Sequence, residues 1–133
     1  MTKDVLTVNP ETRVMEVSRL ISQTGHLTYP VLKEGKLIGI VSYPDTLKVP
    51  REETEAIKVE EIMSKKVIVT YPNEVLDDAL HKMDESGHGH LPVVQPDKPD
   101  QIIGILTKRD LIRGHEIAKQ RWGIPSKHQI FEA

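Results

Sequence analysis

Leu37-Ile38-Gly39-Ile40-Val41-Ser42 and Ile102-Ile103-Gly104-Ile105-Leu106-Thr107 are one pattern written twice, a glycine framed by aliphatic residues and closed by a hydroxyl side chain. Runs of this kind suit strands covered on both faces. Working outward, Asp45 answers to Asp110 at the same offset of 65 residues. Upstream, Tyr29-Pro30-Val31-Leu32 matches Leu91-Pro92-Val93-Val94, and Gly25-His26 matches Gly87-His88, at an offset of 62. The offset changes because the turn Lys33-Glu34-Gly35-Lys36 is replaced by the longer Gln95 to Gln101. Further up, Val14, Val17 and Ile21 fall on Leu76, Ala79 and Met83, and Val5 to Pro10 falls on Val67 to Pro72. Apolar positions, prolines and glycines keep their order over about 40 residues, so the chain is two copies of one unit.

Each copy predicts the same elements. A β-rich run (Val5 to Val8; Val67 to Thr70) stops near a proline, which cannot continue a strand interior. An amphipathic helix follows, carried by Val14, Val17, Leu20 and Ile21 in the first copy and by Leu76, Ala79, Leu80 and Met83 in the second. Gly25 and Gly87 stand where a helix stop is expected. Two strands come next, Thr28 to Leu32 with Leu37 to Val41, and His90 to Val94 with Ile102 to Leu106. Glu34-Gly35 fits a tight hairpin, whereas Pro96-Asp97-Lys98-Pro99-Asp100 predicts a looser loop. A second helix opens after Ser42 and after Thr107. The order is β-α-β-β-α, twice, a mixed α/β (α+β) fold. A unit of about 60 residues is marginal alone. The simplest expectation therefore packs the two sheets together about a pseudo-two-fold axis, with two equivalent clefts between the copies.

The 133 residues include 18 Lys plus Arg against 20 Asp plus Glu, a net charge of −2. Proteins that grip a nucleic-acid backbone usually show a basic excess, so no nucleic-acid partner is expected. There is no cysteine, which excludes disulfides, thiolate metal sites and cysteine nucleophiles. No apolar run reaches the roughly 18 residues needed to span a bilayer, and no signal pattern opens the chain. No direct membrane insertion and a cytoplasmic location are therefore expected. With 38% hydrophobic but only 4% aromatic residues, the core has to be aliphatic.

At these residues the chain resembles a pair of cystathionine-β-synthase (CBS) domains, a Bateman module, from Met1 to about Lys119. The resemblance rests on the strand that ends at proline, the Gly-His-x-x-x-Pro segments around Pro30 and Pro92, and Gly-aliphatic-aliphatic-Ser/Thr-x-x-Asp, all duplicated in order. It implies a regulatory module, not an enzyme, whose clefts sense an adenosine-containing ligand (AMP, ADP, ATP or S-adenosylmethionine) and which controls an attached or associated protein. It implies an adenine nucleotide as regulatory ligand and no catalytic cofactor. It also implies a homodimer, paired through the helices at Val14 to Ile21 and Leu76 to Met83. In the family such pairs are appended to chloride channels and transporters, IMP dehydrogenases, kinases and magnesium transporters, or stand alone. The short start at Met1 and the basic helix after Asp110 resemble the cytosolic module of chloride-channel-type proteins, at the cytosolic face of a membrane. The alternative is a structural dimerisation module with empty clefts.

The resemblance places the chemistry in Ser42-Tyr43-Pro44-Asp45 and Thr107-Lys108-Arg109-Asp110. In the family the aspartate accepts hydrogen bonds from ribose hydroxyls and the Ser/Thr hydroxyl contacts ribose or phosphate. A carboxylate suits a vicinal diol because it accepts two hydrogen bonds at once. The same spacing at a helix start is a capping box. Duplication in a ligand-binding family weights the ligand role, and the two roles are compatible because a helix N-terminus attracts phosphate. Lys108 and Arg109 could hold a phosphate chain, whereas Tyr43 and Pro44 remove both cations from the first copy. The Thr107–Asp110 site is thus expected to be the stronger nucleotide site; the Ser42–Asp45 site takes a neutral adenosine moiety or stays empty. Solvated charge at a helix end is the plainer account of Lys108 and Arg109. By resemblance His90, just before Leu91-Pro92, contacts phosphate, and Val69, Leu91, Pro92 and Ile105 supply an apolar slot for adenine, although a plain core would contain most of that set.

His88 and His90 alternate along a strand and, with His81, His115 or Asp110, invite a metal reading. No spaced Cys or Glu partner completes a zinc motif, and the first copy has Thr28 where His90 stands, so no metal is expected. The division expected from sequence is a first repeat over 1–49 lacking its N-terminal helix, a charged exposed linker over 50–58, a second repeat over 59–119 and a tail over 120–133. Val59 to Met63 reads as a short helix leading into the second copy. Met1 aligns with Met63, which predicts a chain cut from a longer protein or an unusually short natural start. Leu111 to Trp122 keeps helical spacing, and Trp122 either anchors the tail or meets a partner; a solvated tail over 126–133 is the other reading.

Overall fold

In the computed structural model, which describes residues 5–87 and 89–111, the two glycine-centred runs form the second arms of two antiparallel hairpins. The first copy contains α1 (Val14–Thr24), β1 (Thr28–Lys33), β2 (Lys36–Ser42) and α2 (Tyr43–Leu47); the second contains α3 (Leu76–Ser86), β3 (His90–Gln95) and β4 (Lys98–Thr107). Helical structure resumes over residues 108–111. The readings made for His88, His115, Trp122 and the tail lie outside the described residues.

Both long helices end where the sequence predicts. Gly25 and Gly87 take φ of 78° and 75°, and their N–H groups reach back to the carbonyls of Ile21 and Met83. Only glycine adopts that left-handed cap without steric cost. The buried faces are also those expected: Val14 and Val17 in α1, Leu76, Ala79 and Met83 in α3. The first core gathers Val17, Tyr29, Val31 and Val41 around Val8 and Val59; the second gathers α3 with Leu91, Val93, Leu106 and Leu111.

Two local expectations are corrected. The strands predicted at Val5 to Val8 and Val67 to Thr70 shrink to one parallel bridge each, Val8 to Val31 and Thr70 to Val93. In the first copy an Asx turn ends the pairing at once, because Glu11 N–H donates to Asn9 Oδ1 at 2.9 Å. The loop expected from Pro96 to Asp100 is mostly strand: β4 starts at Lys98, opposite Gln95. Extended arms that pair satisfy their own backbone groups, so the additional residues are absorbed as a register shift between Val94 and Gln95. A further shift between Val93 and Val94 repeats the one between Val31 and Leu32.

The short helix expected from Val59 forms over Val59–Glu61; it leads along the chain into the second copy and packs on the first core, within a compact unit spanning Leu6–Val67. Val59 is fully buried in the first core. The connector also serves α1, whose first N–H groups have no intrahelical acceptor. Val14 N–H donates to Ile57 O and Met15 N–H to Thr54 O, both at 3.0 Å. Ser64 pairs with Ile40 of β2, and the approach is so close that a Cβ on Gly39 would sit 2.9 Å from Ser64 O. That contact explains the glycine at the centre of the first run.

Candidate functional site

Side chains alternate between the two faces of a strand, and residues directly opposed across an antiparallel pair share a face. Leu91 opposes Leu106 and both lie in the second core, so His90, Pro92, Ile105 and Thr107 occupy the other face, with His90 opposite Thr107 and Pro92 opposite Ile105. Thr70 is fully buried and opposes the core residue Val93, which turns its neighbour Val69 to that same second face. Five of the residues singled out from sequence are thereby brought onto one face. Leu91 is not among them. It is fully buried in the core, because a strand offers successive side chains to opposite sides and Leu91 sits one residue out of phase with His90 and Pro92.

At the end of this face β4 passes into helix. Thr107 N–H donates to Asp110 Oδ2 at 3.0 Å and Asp110 N–H donates to Thr107 Oγ1 at 3.1 Å, a reciprocal capping box. Lys108 N–H is taken by Gly89 O at 2.9 Å. The backbone donors of this turn are therefore partly spent inside the protein, and Lys108 and Arg109, both exposed, are the groups through which it presents positive charge. Among the described residues no cluster of three His, Cys, Asp or Glu side chains is placed to hold a metal ion.

The first copy repeats the frame. Tyr29, Val31 and Val41 face its core, leaving Thr28, Pro30, Ile40 and Ser42 on the second face, with Thr28 opposite Ser42. Asp45 Oδ2 accepts from Ser42 N–H at 2.9 Å and from Ser42 Oγ at 3.0 Å, closing the equivalent box. Tyr43 N–H donates to Leu27 O at 2.8 Å, and the exposed Tyr43 and Pro44 stand where Lys108 and Arg109 stand in the second copy. Lys48 Nζ comes to 4.0 Å of Asp45 Oδ1, but its side chain is 78% exposed and the pair adds little. Thr28 Oγ1 is buried and has no hydrogen-bond partner among the described residues.

One further group of side chains belongs to the second copy. Lys82 Nζ, on α3, lies 2.7 Å from Glu74 Oε1 and 2.9 Å from Val69 O. Glu74 Oε2 accepts from Thr70 Oγ1 and, at 3.3 Å, from Tyr71 N–H. The Lys82 ammonium is 5.0 Å from the centre of the Tyr71 ring, within cation–π range.

A family model described as "CBS domain" matches residues 1–52 and again residues 59–115. The chain belongs to the CBS-domain family. Its two CBS copies are similar to protein MJ0188 of Methanocaldococcus jannaschii, 40% identical over 115 residues, covering 85% of this chain and 41% of that one. The chain spans less than half the length of the curated relatives it matches first. Among solved structures it is similar to CBSX2 in complex with AMP (TM-score 0.76, 28% identity, 90% of this chain and 94% of that one). It is likewise similar to the CBS domain pair of MJ0100 in complex with 5-methylthioadenosine and S-adenosyl-L-methionine (TM-score 0.72, 27% identity, 85% and 89% coverage). These CBS-pair proteins bind adenosine-containing molecules.

Three residues beside the two candidate sites escape a sequence reading centred on the Ser/Thr-x-x-Asp motif: Thr28, Glu74 and Lys82. The signal for them lay in the repeat itself. Glu74 and Lys82 align with Thr12 and Leu20, so two opposite charges enter positions that are neutral in the first copy. Thr28 aligns with His90, which marks the position but not its burial.

Proposed function

We propose that this chain is a non-catalytic regulatory module that binds adenosine-containing ligands on the second face of each hairpin and controls a larger or associated protein. The observation behind this reading is the duplicated junction, in which a capped carboxylate stands at the end of a strand whose second face carries apolar and hydroxyl side chains. Its cap bonds orient the carboxylate, and because the two oxygens together accept about four hydrogen bonds, capping is compatible with recognition of a ribose diol. The second copy takes the phosphorylated ligand: Lys108, Arg109 and His90 supply the cationic and donor groups, with Val69, Pro92 and Ile105 beside them for the base. The first copy takes an uncharged adenosine moiety through Ser42, Asp45 and the unpartnered Thr28 hydroxyl. The similarity to proteins with AMP, and with 5-methylthioadenosine and S-adenosyl-L-methionine, supports both ligand classes. Coupling to a partner requires a ligand affinity that differs between two conformations, typically by about 1–3 kcal/mol.

The test is a thermal-shift panel with AMP, ADP, ATP, S-adenosylmethionine and 5-methylthioadenosine. A ligand at 100 times its Kd stabilises the folded state by about 2.7 kcal/mol, a shift of several degrees. No shift with any of the five at millimolar concentration would overturn the reading.

A second reading, a homodimerisation module that works without ligand, is favoured by exposed apolar residues of the first copy. Leu27 and Tyr43, joined through their backbones, and Leu47, one turn beyond Tyr43, are 49%, 42% and 64% exposed. Sedimentation showing a monomer at high concentration excludes it.

A further inference from the structure

Glu74 and Lys82 form an enclosed ion pair, with side chains only 12% and 26% exposed. Withdrawing two charges from water is costly, and an apolar residue of similar size commonly packs as well. The first copy demonstrates the apolar solution, since Leu20 stands at the Lys82 position and packs against the first core. What the pair adds is a set of bonds directed at one short segment. Lys82 Nζ donates to Val69 O at 2.9 Å, and Glu74 accepts from Thr70 Oγ1 and Tyr71 N–H. Thr70 meanwhile joins β3 through a single bridge, Thr70 N–H to Pro92 O at 2.9 Å and Val94 N–H to Thr70 O at 3.0 Å. One bridge does not set the height of Val69 above the sheet. Two charged side chains grip the residues on either side of Thr70.

We propose that the Glu74–Lys82 pair is a positioning device for the second copy's ligand site, holding Val69 at a fixed distance from Pro92 and Ile105 so that the three form one wall for the adenine base. The proposal rests on the adenosine-binding reading above. Neither Glu74 nor Lys82 touches the ligand; they act through the backbone of residues 69–71. The first copy, where Thr7 replaces Val69 and Leu20 replaces Lys82, lacks both the apolar wall residue and the pair that holds it.

The test is isothermal titration of the full chain with AMP and with adenosine, for the wild type, Lys82→Leu, Lys82→Arg, Glu74→Gln and Asp110→Ala. Because the pair serves the base, Lys82→Leu and Glu74→Gln should weaken AMP and adenosine at the second site by the same factor, about three- to tenfold, and Lys82→Arg should return both to within about twofold of wild type. Lys82→Leu keeps an apolar side chain for packing and removes the charge, so a loss that leucine shows and arginine does not is a loss of the charged grip. Wild-type affinity in Lys82→Leu alongside lost binding in Asp110→Ala overturns the positioning role and spares the nucleotide reading. A loss confined to AMP also overturns it, because Lys82 would then act on the phosphate. A wild-type chain that binds neither ligand overturns both. If Lys82→Leu does not fold, Glu74→Gln decides on the same criteria, since it keeps the side-chain shape and removes the charge.

Discussion

At the junction of the first copy Tyr43 and Pro44 follow Ser42; at that of the second Lys108 and Arg109 follow Thr107, and all four side chains are exposed. The capping box around them is the same: a carboxylate three residues on accepts the N–H of the hydroxyl residue at 2.9 Å in one copy and 3.0 Å in the other. The cap satisfies backbone groups that would otherwise be stranded at a helix start, so it is needed with or without a ligand. The two residues inside the box make no such contribution through their side chains, and they carry the difference in charge. Opposite the hydroxyl stands Thr28 in one copy and His90 in the other. The charge offered at each junction is thus set by three positions while the fold is held by the rest.

The largest expected break in this comparison comes from the carboxylates. A hydrogen bond to a charged group is worth about 1.5–3 kcal/mol, so Asp110→Ala should weaken AMP binding by about 10- to 100-fold. Asp45→Ala should leave the AMP affinity of the second copy within about twofold. Both variants lose a cap and about 1 kcal/mol of stability, seen in urea unfolding. Calorimetric titration of the two variants side by side separates ligand role from cap role: equal AMP affinities would mean that the boxes are caps alone.

A smaller effect is expected from charge. Exposed ion pairs contribute about 0.2–1 kcal/mol each, so Lys108→Tyr with Arg109→Gln should cost about three- to tenfold in AMP affinity and flatten its salt dependence. Adenosine, which has no phosphate, should bind that double variant as it binds the wild type. A parallel loss for both ligands would show that the exposed cations are not what distinguishes the copies.

The smallest expected change is at Thr28. Thr28→Val removes a buried hydroxyl that has no partner and keeps the shape, so the ligand-free chain should gain up to about 1 kcal/mol in urea unfolding. The same variant should bind adenosine less tightly at the first copy. A gain in stability with no change in binding would make the hydroxyl a defect of packing and not part of a site.

Much of the fold is legible without coordinates, for identifiable reasons. Gly25 and Gly87 announce helix ends because left-handed backbone is cheap only for glycine. The aliphatic runs around Gly39 and Gly104 announce covered strands because nothing in them can face water. Boundaries set by pairing are harder to see. Lys98 joins β4 despite Pro96 and Pro99 nearby, since the hairpin gains more from continued pairing than turn-forming residues lose. The site shows the same division. The motif marks Ser42, Asp45, Thr107 and Asp110, but strand phase separates Leu91 from its neighbours, and only packing brings Lys82 to the carbonyl of Val69 across thirteen positions of chain.

By itself, then, the sequence determined that there are two copies, the order of their elements, the residues that cap their helices and the charge each junction offers. These depend on spacing and residue type, which local chemistry reads directly. The tertiary structure decided which partner each segment chose: Val59 joined the first core, Thr28 was buried without a hydrogen-bond partner, and Glu74 and Lys82 closed on residues 69–71. Those outcomes follow from burial and from the accounting of every polar group in three dimensions, and no distance along the chain encodes them.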